Sequence, residues 1–214
     1  LDSTDGSTKL LLKNSAGLTM ETVILRYENR TSLCVSSQVG CKLACSFCQT
    51  GKLGFVRHLS KADILAQYWL AQEICAKEEK RVSHVVFMGM GEPFDNYDNA
   101  VGAANALIDD FGLSARHVTL STSGMVPRIE QLAKDSRAAL AISLHAARDD
   151  LRTKLMPINK KYPLARLKEA LIQYQKTTGK MLTIEYILIK NENCGQREAK
   201  ELVKFCMVCV RRSI

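Results

Sequence analysis

Cys41, Cys45 and Cys48 form a Cys-x3-Cys-x2-Cys array within one short stretch of the chain. Thiolates are soft ligands, and three so close in sequence can wrap one cubic iron–sulfur cluster from a single loop. A cubane has four irons, so three protein ligands leave one iron open. An open coordination position is what a catalytic metal needs in order to bind a reactant. The competing reading is a structural zinc ion on the same thiolates with His58 as fourth ligand. Zinc knuckles more often pair cysteines as Cys-x2-Cys, and the x3 spacing fits them poorly.

The remaining cysteines are Cys34, just upstream, and the scattered Cys75, Cys194, Cys206 and Cys209. Eight cysteines without an export signal argue for metal or redox chemistry over a disulfide framework. The first residues, LDSTDGSTKL, lack the basic-then-apolar order of a signal peptide. No apolar run approaches the roughly 18 residues that span a membrane. A cytoplasmic protein with no membrane partner is expected.

A ligand loop of this kind has to be held at the edge of a rigid scaffold. At 214 residues, 46% apolar and 24% charged, the chain has ordinary globular composition and the length for one domain with a substantial core. TKLLLK and LTMETVILRY, separated by NSAG, read as a β-hairpin extension over residues 1–31. Over residues 32–214, β-rich runs alternate with helical patterns. SLCVSS precedes a helix from about Ser60, SHVVFMG one after Asn96, HVTLST one after Val126, ALAISL one from about Pro163, and LTIEYILI one from about Gln196. This alternation predicts an α/β fold, a parallel (β/α) barrel. Ser60 with Asp63 gives a capping signal, and Ile64, Tyr68, Ala71, Ile74 and Cys75 recur on one helix face, which assigns Cys75 to the core.

In such a barrel, chemistry gathers at the carboxyl ends of the strands. The cysteine array follows SLCVSS, GMGEP follows HVVFM, STSG closes HVTLST and SLH ends ALAISL. Four polar or glycine-rich signatures can therefore face one cavity.

In order, SLCVSSQVGCKLACSFCQTGKLGF, VVFMGMGEP, VTLSTSG, AISLHA and LMPINKKYPL closely resemble the RlmN branch of the ribosomal RNA adenine methyltransferases, which are radical S-adenosylmethionine (SAM) enzymes. The resemblance implies a barrel of radical SAM type with a 4Fe-4S cluster on Cys41, Cys45 and Cys48. It implies SAM bound at the open iron through its amino and carboxylate groups, and an external electron donor whose electron releases a 5′-deoxyadenosyl radical. The implied product is an adenine methylated at carbon 2 in 23S ribosomal RNA, with transfer RNA as a second substrate in some members. A sister branch, the Cfr type, methylates carbon 8; GMGEP and STSG look more like the first branch. A formal charge of +8 suits a polyanionic partner, and a monomer is expected.

Position by position, the resemblance implies that Gly91 and Glu92, Ser121, and the run Ser143, Leu144 and His145 contact SAM. Glycine lets backbone approach the methionine end closely, while a carboxylate and hydroxyls can bond its ammonium and ribose. Glu21 matches the family's proposed proton acceptor; by itself it reads as a solvated strand residue. Cys34 matches the cysteine that helps resolve a covalent RNA–enzyme intermediate. Alternation in SLCVSS sets Cys34 and Ser36 opposite Leu33 and Val35, so that Cys34 points toward the cavity. Arg57, His58, Arg148, Arg152, Lys154, Lys160 and Lys161 lie near strand ends and are expected to track RNA phosphates.

The sequence also departs from the family. No segment resembles GxDIxAACGQL, which carries the methyl-accepting cysteine, or INLIPWNP, whose asparagine belongs to the SAM site. The small helical N-terminal domain has no counterpart, and the ending CMVCVRRSI does not match. Cys206 and Cys209 are expected to follow a helix outside the barrel. The corresponding expectations are a partial barrel whose last strand is missing, an open edge on the LTIEYILI strand, and SAM cleavage without RNA methylation by these residues alone. Two other classes compete: a non-catalytic RNA-binding barrel, and a radical SAM reaction on a different substrate.

Overall fold

The computed structural model describes residues 1–209. In chain order the elements are β1 (Thr8–Lys13), β2 (Thr19–Tyr27), β3 (Arg30–Cys34), β4 (Gln38–Gly40), α1 (Gln49–Lys52), β5 (Phe55–His58), α2 (Lys61–Ala76) and β6 (Val82–Phe87). They continue with α3 (Tyr97–Asp109), β7 (Val118–Thr122), α4 (Val126–Asp135), β8 (Ala139–Ser143), α5 (Asp149–Leu155), α6 (Leu164–Thr178), β9 (Thr183–Glu185) and α7 (Gln196–Cys209).

The hairpin forms as its sequence predicts. Asn14 Oδ1 accepts from the backbone N–H groups of Ala16 and Leu18, a local side-chain bond that favours the turn. β2 then pairs antiparallel with β3, so the hairpin continues the main sheet, whose order is β1-β2-β3-β6-β7-β8-β9. From β3 to β9 all neighbours are parallel. The result is the expected partial barrel, open between β1 and β9.

Period-two alternation sorts the two faces. Leu33, Val85, Phe87, Val118, Leu120, Leu140 and Ile142 are buried under the helices. Cys34, Val86 and Thr119 are register partners on the opposite, concave face, as are Ser143 and Glu185. On α2, Ser60 and Asp63 form a reciprocal capping box, and Ile64, Tyr68, Ala71 and Cys75 face the core as their spacing requires. Among the described residues no helix is long and apolar enough to cross a membrane.

Three local expectations need correction. LTIEYILI is a strand only over Thr183–Glu185. Beyond it the Asn193 side chain donates to the carbonyls of His145 and Ile187 and accepts from the Ile189 N–H, replacing a sheet ladder with side-chain bonds. Between ALAISL and the helix expected from about Pro163 lies a further helix, α5, whose seven residues are too short to show a helical period. Cys206 and Cys209 do not follow a helix; α7 runs through them. The rest of the CMVCVRRSI ending lies outside the described residues.

The β4–β5 pair frames the cysteine loop. Gly40 has φ +76°, and a Cβ there would collide with the Gly54 carbonyl oxygen, which accepts from the Cys41 N–H at 2.8 Å. Gly40→Ala is therefore expected to destabilise the chain by more than about 1 kcal/mol, read as a lower denaturant midpoint at unchanged slope.

Candidate active site

A cavity of about 250 Å³ opens at the carboxyl ends of the parallel strands. It brings together Cys41, Cys45, Cys48, Gly91, Glu92, Ser121, Ser143 and His145, eight of the residues singled out from the sequence. Leu144 does not join them: its side chain is buried in the core and its N–H donates to the Glu185 carbonyl at 3.0 Å.

The cysteine loop is anchored on two sides. On one, the buried Gln38 side chain accepts from the Glu92 N–H at 2.9 Å, donates to Asp95 at 2.8 Å, and lies 3.1 Å from His58 Nδ1. Asp95 also pairs with Lys42, inside the loop, at 2.9 Å. On the other side the Ser46 N–H donates to the Leu155 carbonyl at 2.9 Å, and Cys45 and Phe47 pack on Ala146, Leu151, Leu155 and Met156. His58 is thus committed to Gln38 and is not part of the cavity lining.

With His58 held by Gln38 and off the cavity, the zinc reading lacks the fourth ligand it requires. The three thiols instead share one cavity wall, a soft donor set suited to a polynuclear cluster. Burial, then the neighbouring Cys41 and Cys48, push the Cys45 thiol up to about 12. Bound iron would relieve that cost by stabilising the thiolate.

Gly91 has φ +99°, and a Cβ on it would lie 2.5 Å from Gln38 Cβ, so the GMGEP turn needs glycine to pack on β4. Glu92 is 4% exposed; its carboxylate accepts from the Ser123 N–H and hydroxyl, both at 2.8 Å, and from the Phe94 N–H at 3.0 Å. Burial pushes the carboxyl up, against those donors. Glu185 and Ser123 also line the cavity, and neither was singled out from the sequence. Glu185 accepts from Ser121 Oγ at 2.9 Å and Ser143 Oγ at 3.0 Å. The strand-end rule, extended to LTIE, is the signal that would have found it.

His145 adopts φ +55°, and its Nδ1 accepts from the Ile187 N–H at 3.1 Å. That bond fixes the neutral ring's proton on Nε2. Burial pulls its pKa down to about 4, so it is neutral at pH 7. The unfolded chain takes up this proton first, so the stability it contributes is full above the ordinary value of about 6.5 and is lost as pH falls toward 4. The loss is on the order of 3 kcal/mol. Chemical denaturation at stepped pH is expected to show this decline, and His145→Gln to remove most of it. His84, also lowered by burial and by the stacked His117, contributes to the remainder.

Glu21 and Cys34 lie outside the cavity lining. Cys34 is on the concave face, where burial pushes its thiol up to about 11 against a hydrogen bond with Met88, which does line the cavity. Glu21 shares that face but pairs with Lys9 at 2.6 Å. The basic set divides. Arg152 is completely buried, Arg148 is bound to Asp150, Glu198 and Glu201, and Lys154 to Glu192, whereas Arg57, Lys160 and Lys161 remain exposed. Arg152 turned inward because it lies on the face of α5 that also buries Leu151 and Leu155.

Relatives share this sequence and fold. The chain is 45% identical over 204 residues to a probable dual-specificity RNA methyltransferase RlmN of Dictyoglomus turgidum, covering 94% of the chain and 59% of the relative. It is 46% identical over 210 residues to the dual-specificity RNA methyltransferase RlmN of Pseudomonas putida, covering 94% and 55%. The chain thus spans little more than half the length of these relatives. A radical SAM methyltransferase crystal structure from Sphaerobacter thermophilus superposes with a TM-score of 0.93 at 39% identity, over 96% of this chain and 62% of that one. Residues 35–206 match the profile of the Radical SAM superfamily, and because that span carries the cysteine loop and four of the five parallel strands, β6 to β9, the chain belongs to that superfamily.

Proposed function

We propose that this barrel generates the radical of an RNA methyltransferase acting on carbon 2 of adenine in 23S ribosomal RNA and in transfer RNA, in the cytoplasm, with a 4Fe-4S cluster, SAM and an external electron donor. The observation that carries the reading is the convergence of three thiols, a buried carboxylate and two hydroxyls on one cavity at the strand ends. The identity of 45–46% to proteins named as dual-specificity RNA methyltransferases supports the substrate class.

In this reading Cys41, Cys45 and Cys48 hold the cluster, which when bound supplies the electron that splits SAM. Glu92 offers a carboxylate to the SAM ammonium. Ser121, Ser143 and Glu185 form a hydroxyl and carboxylate patch suited to ribose, and His145 keeps an Nε2–H donor available. Arg57, Lys160 and Lys161 are the exposed cations of the original set that remain available for phosphates. The roles of Glu21 and Cys34 at the adenine require them to be reached from the concave face they share.

Cluster-loaded chain treated with SAM and dithionite is expected to release 5′-deoxyadenosine. A folded, loaded sample that releases none would favour the RNA-binding reading. Should mass analysis of adenosines from incubated RNA detect methylation, 2-methyladenosine would fit the carbon-2 reading and 8-methyladenosine would place the chemistry with the sister branch.

A further inference from the structure

Among the described residues Arg152 is the only fully buried cation, and no carboxylate pairs with it. Its Nε donates to the Leu144 carbonyl at 3.1 Å and its Nη1 to Asn159 Oδ1 at 2.9 Å. Its Nη2 donates to the carbonyls of Ser123 at 2.6 Å and Ser143 at 3.3 Å. Every acceptor is neutral. Such bonds satisfy the guanidinium hydrogens without cancelling its charge.

The nearest carboxylates along this network are each one residue removed. Asp149 Oδ1 takes the Asn159 amide at 2.8 Å, and Glu92 takes the N–H of Ser123, whose carbonyl faces Arg152. Fold requirements alone leave this unexplained, since a neutral donor could cap the same carbonyls without stranding a charge.

Position supplies the explanation. Ser123 and Ser143 line the cavity, so the guanidinium lies directly behind its wall. Leu151 and Leu155 of the same helix form the surface on which Cys45 packs. Burial pulls Arg152 down to about 10, which leaves it charged at neutral pH, and Cys45 is the foremost group acting in the opposite direction.

We propose that Arg152 is a positioning residue whose buried charge offsets the anionic thiolate-ligated cluster beside Cys45 and sets how readily that cluster accepts an electron. This rests on the cluster reading of the cysteine loop. Adding an electron makes a thiolate-bound cubane more negative, and a fixed cation in a low-dielectric wall stabilises the reduced form more than the oxidised one. The reductant is an external low-potential one-electron donor.

The test compares the 214-residue chain with Arg152→Gln and Arg152→Lys after anaerobic reconstitution. Iron and sulfide content, thermal unfolding, and the cluster midpoint potential from a dithionite titration followed by electron paramagnetic resonance are measured. Failure of the parent chain to take up iron and sulfide would overturn the cluster reading itself. With a loaded parent, Arg152→Lys is expected to keep a near-parental potential and Arg152→Gln to shift it to more negative values. Equal potentials for the parent and Arg152→Gln, or an equal shift in both variants, would overturn the role of the charge. If Arg152→Gln does not fold, Arg152→Lys decides: a folded Lys variant that has lost the cluster or the parental potential overturns the proposal, and one that retains both supports it.

Discussion

Alanine at Cys41, Cys45 or Cys48, introduced singly, is expected to abolish the cubane, reducing cluster-bound iron and sulfide to background after anaerobic reconstitution. The effect is large because the ligands are few and not interchangeable. Three thiols share one wall, and among the described residues no other cysteine lines the cavity. Removing one would leave only two thiolates to hold the cluster. Cys194→Ala provides the control, since that residue is exposed and lies off the cavity. Its iron content should equal the parent's. Retention of iron and sulfide by the triple alanine chain would show that the cluster sits elsewhere.

Glu92→Ala is expected to weaken SAM binding to the loaded protein by roughly 10-fold to 100-fold, the scale of one hydrogen bond to a charged group. Equilibrium binding of SAM to loaded parent and variant chains measures it. Stability should fall as well, because the carboxylate caps three donors, the N–H and hydroxyl of Ser123 and the N–H of Phe94. A buried donor left unsatisfied costs about 1–3 kcal/mol. Ser121→Ala removes a cavity hydroxyl that binds Glu185 and leaves the Glu92 network intact, so it should lower stability much less. Parental SAM affinity in folded Glu92→Ala would remove Glu92 from the proposed ammonium site.

The same chemistry explains why parts of this protein were legible without a structure. Strand and helix positions follow from periodicity, a local property: the Ser60 cap, the buried face through Cys75 and the apolar run of ALAISL each announce themselves within a few residues. The cavity was legible too, since the cysteine array, GMGEP, STSG and SLH all sit where strands end, and parallel topology brings strand ends to one side.

What periodicity could not settle depends on partners distant in the chain. Arg152 reads as one surface cation among several, and only the fold surrounds it with carbonyls from Ser123, Ser143 and Leu144. LTIEYILI has the composition of a long strand, yet pairing stops at Glu185 because Asn193 captures the backbone that follows. Glu185 itself carries no motif and acquires its place from register with Ser143. The amino-acid sequence by itself therefore determined the class of fold and the side chains offered to the cavity. Tertiary structure decided which charges are buried, which are paired and which remain exposed, because desolvation and hydrogen bonding depend on every neighbour in space and only weakly on neighbours in sequence.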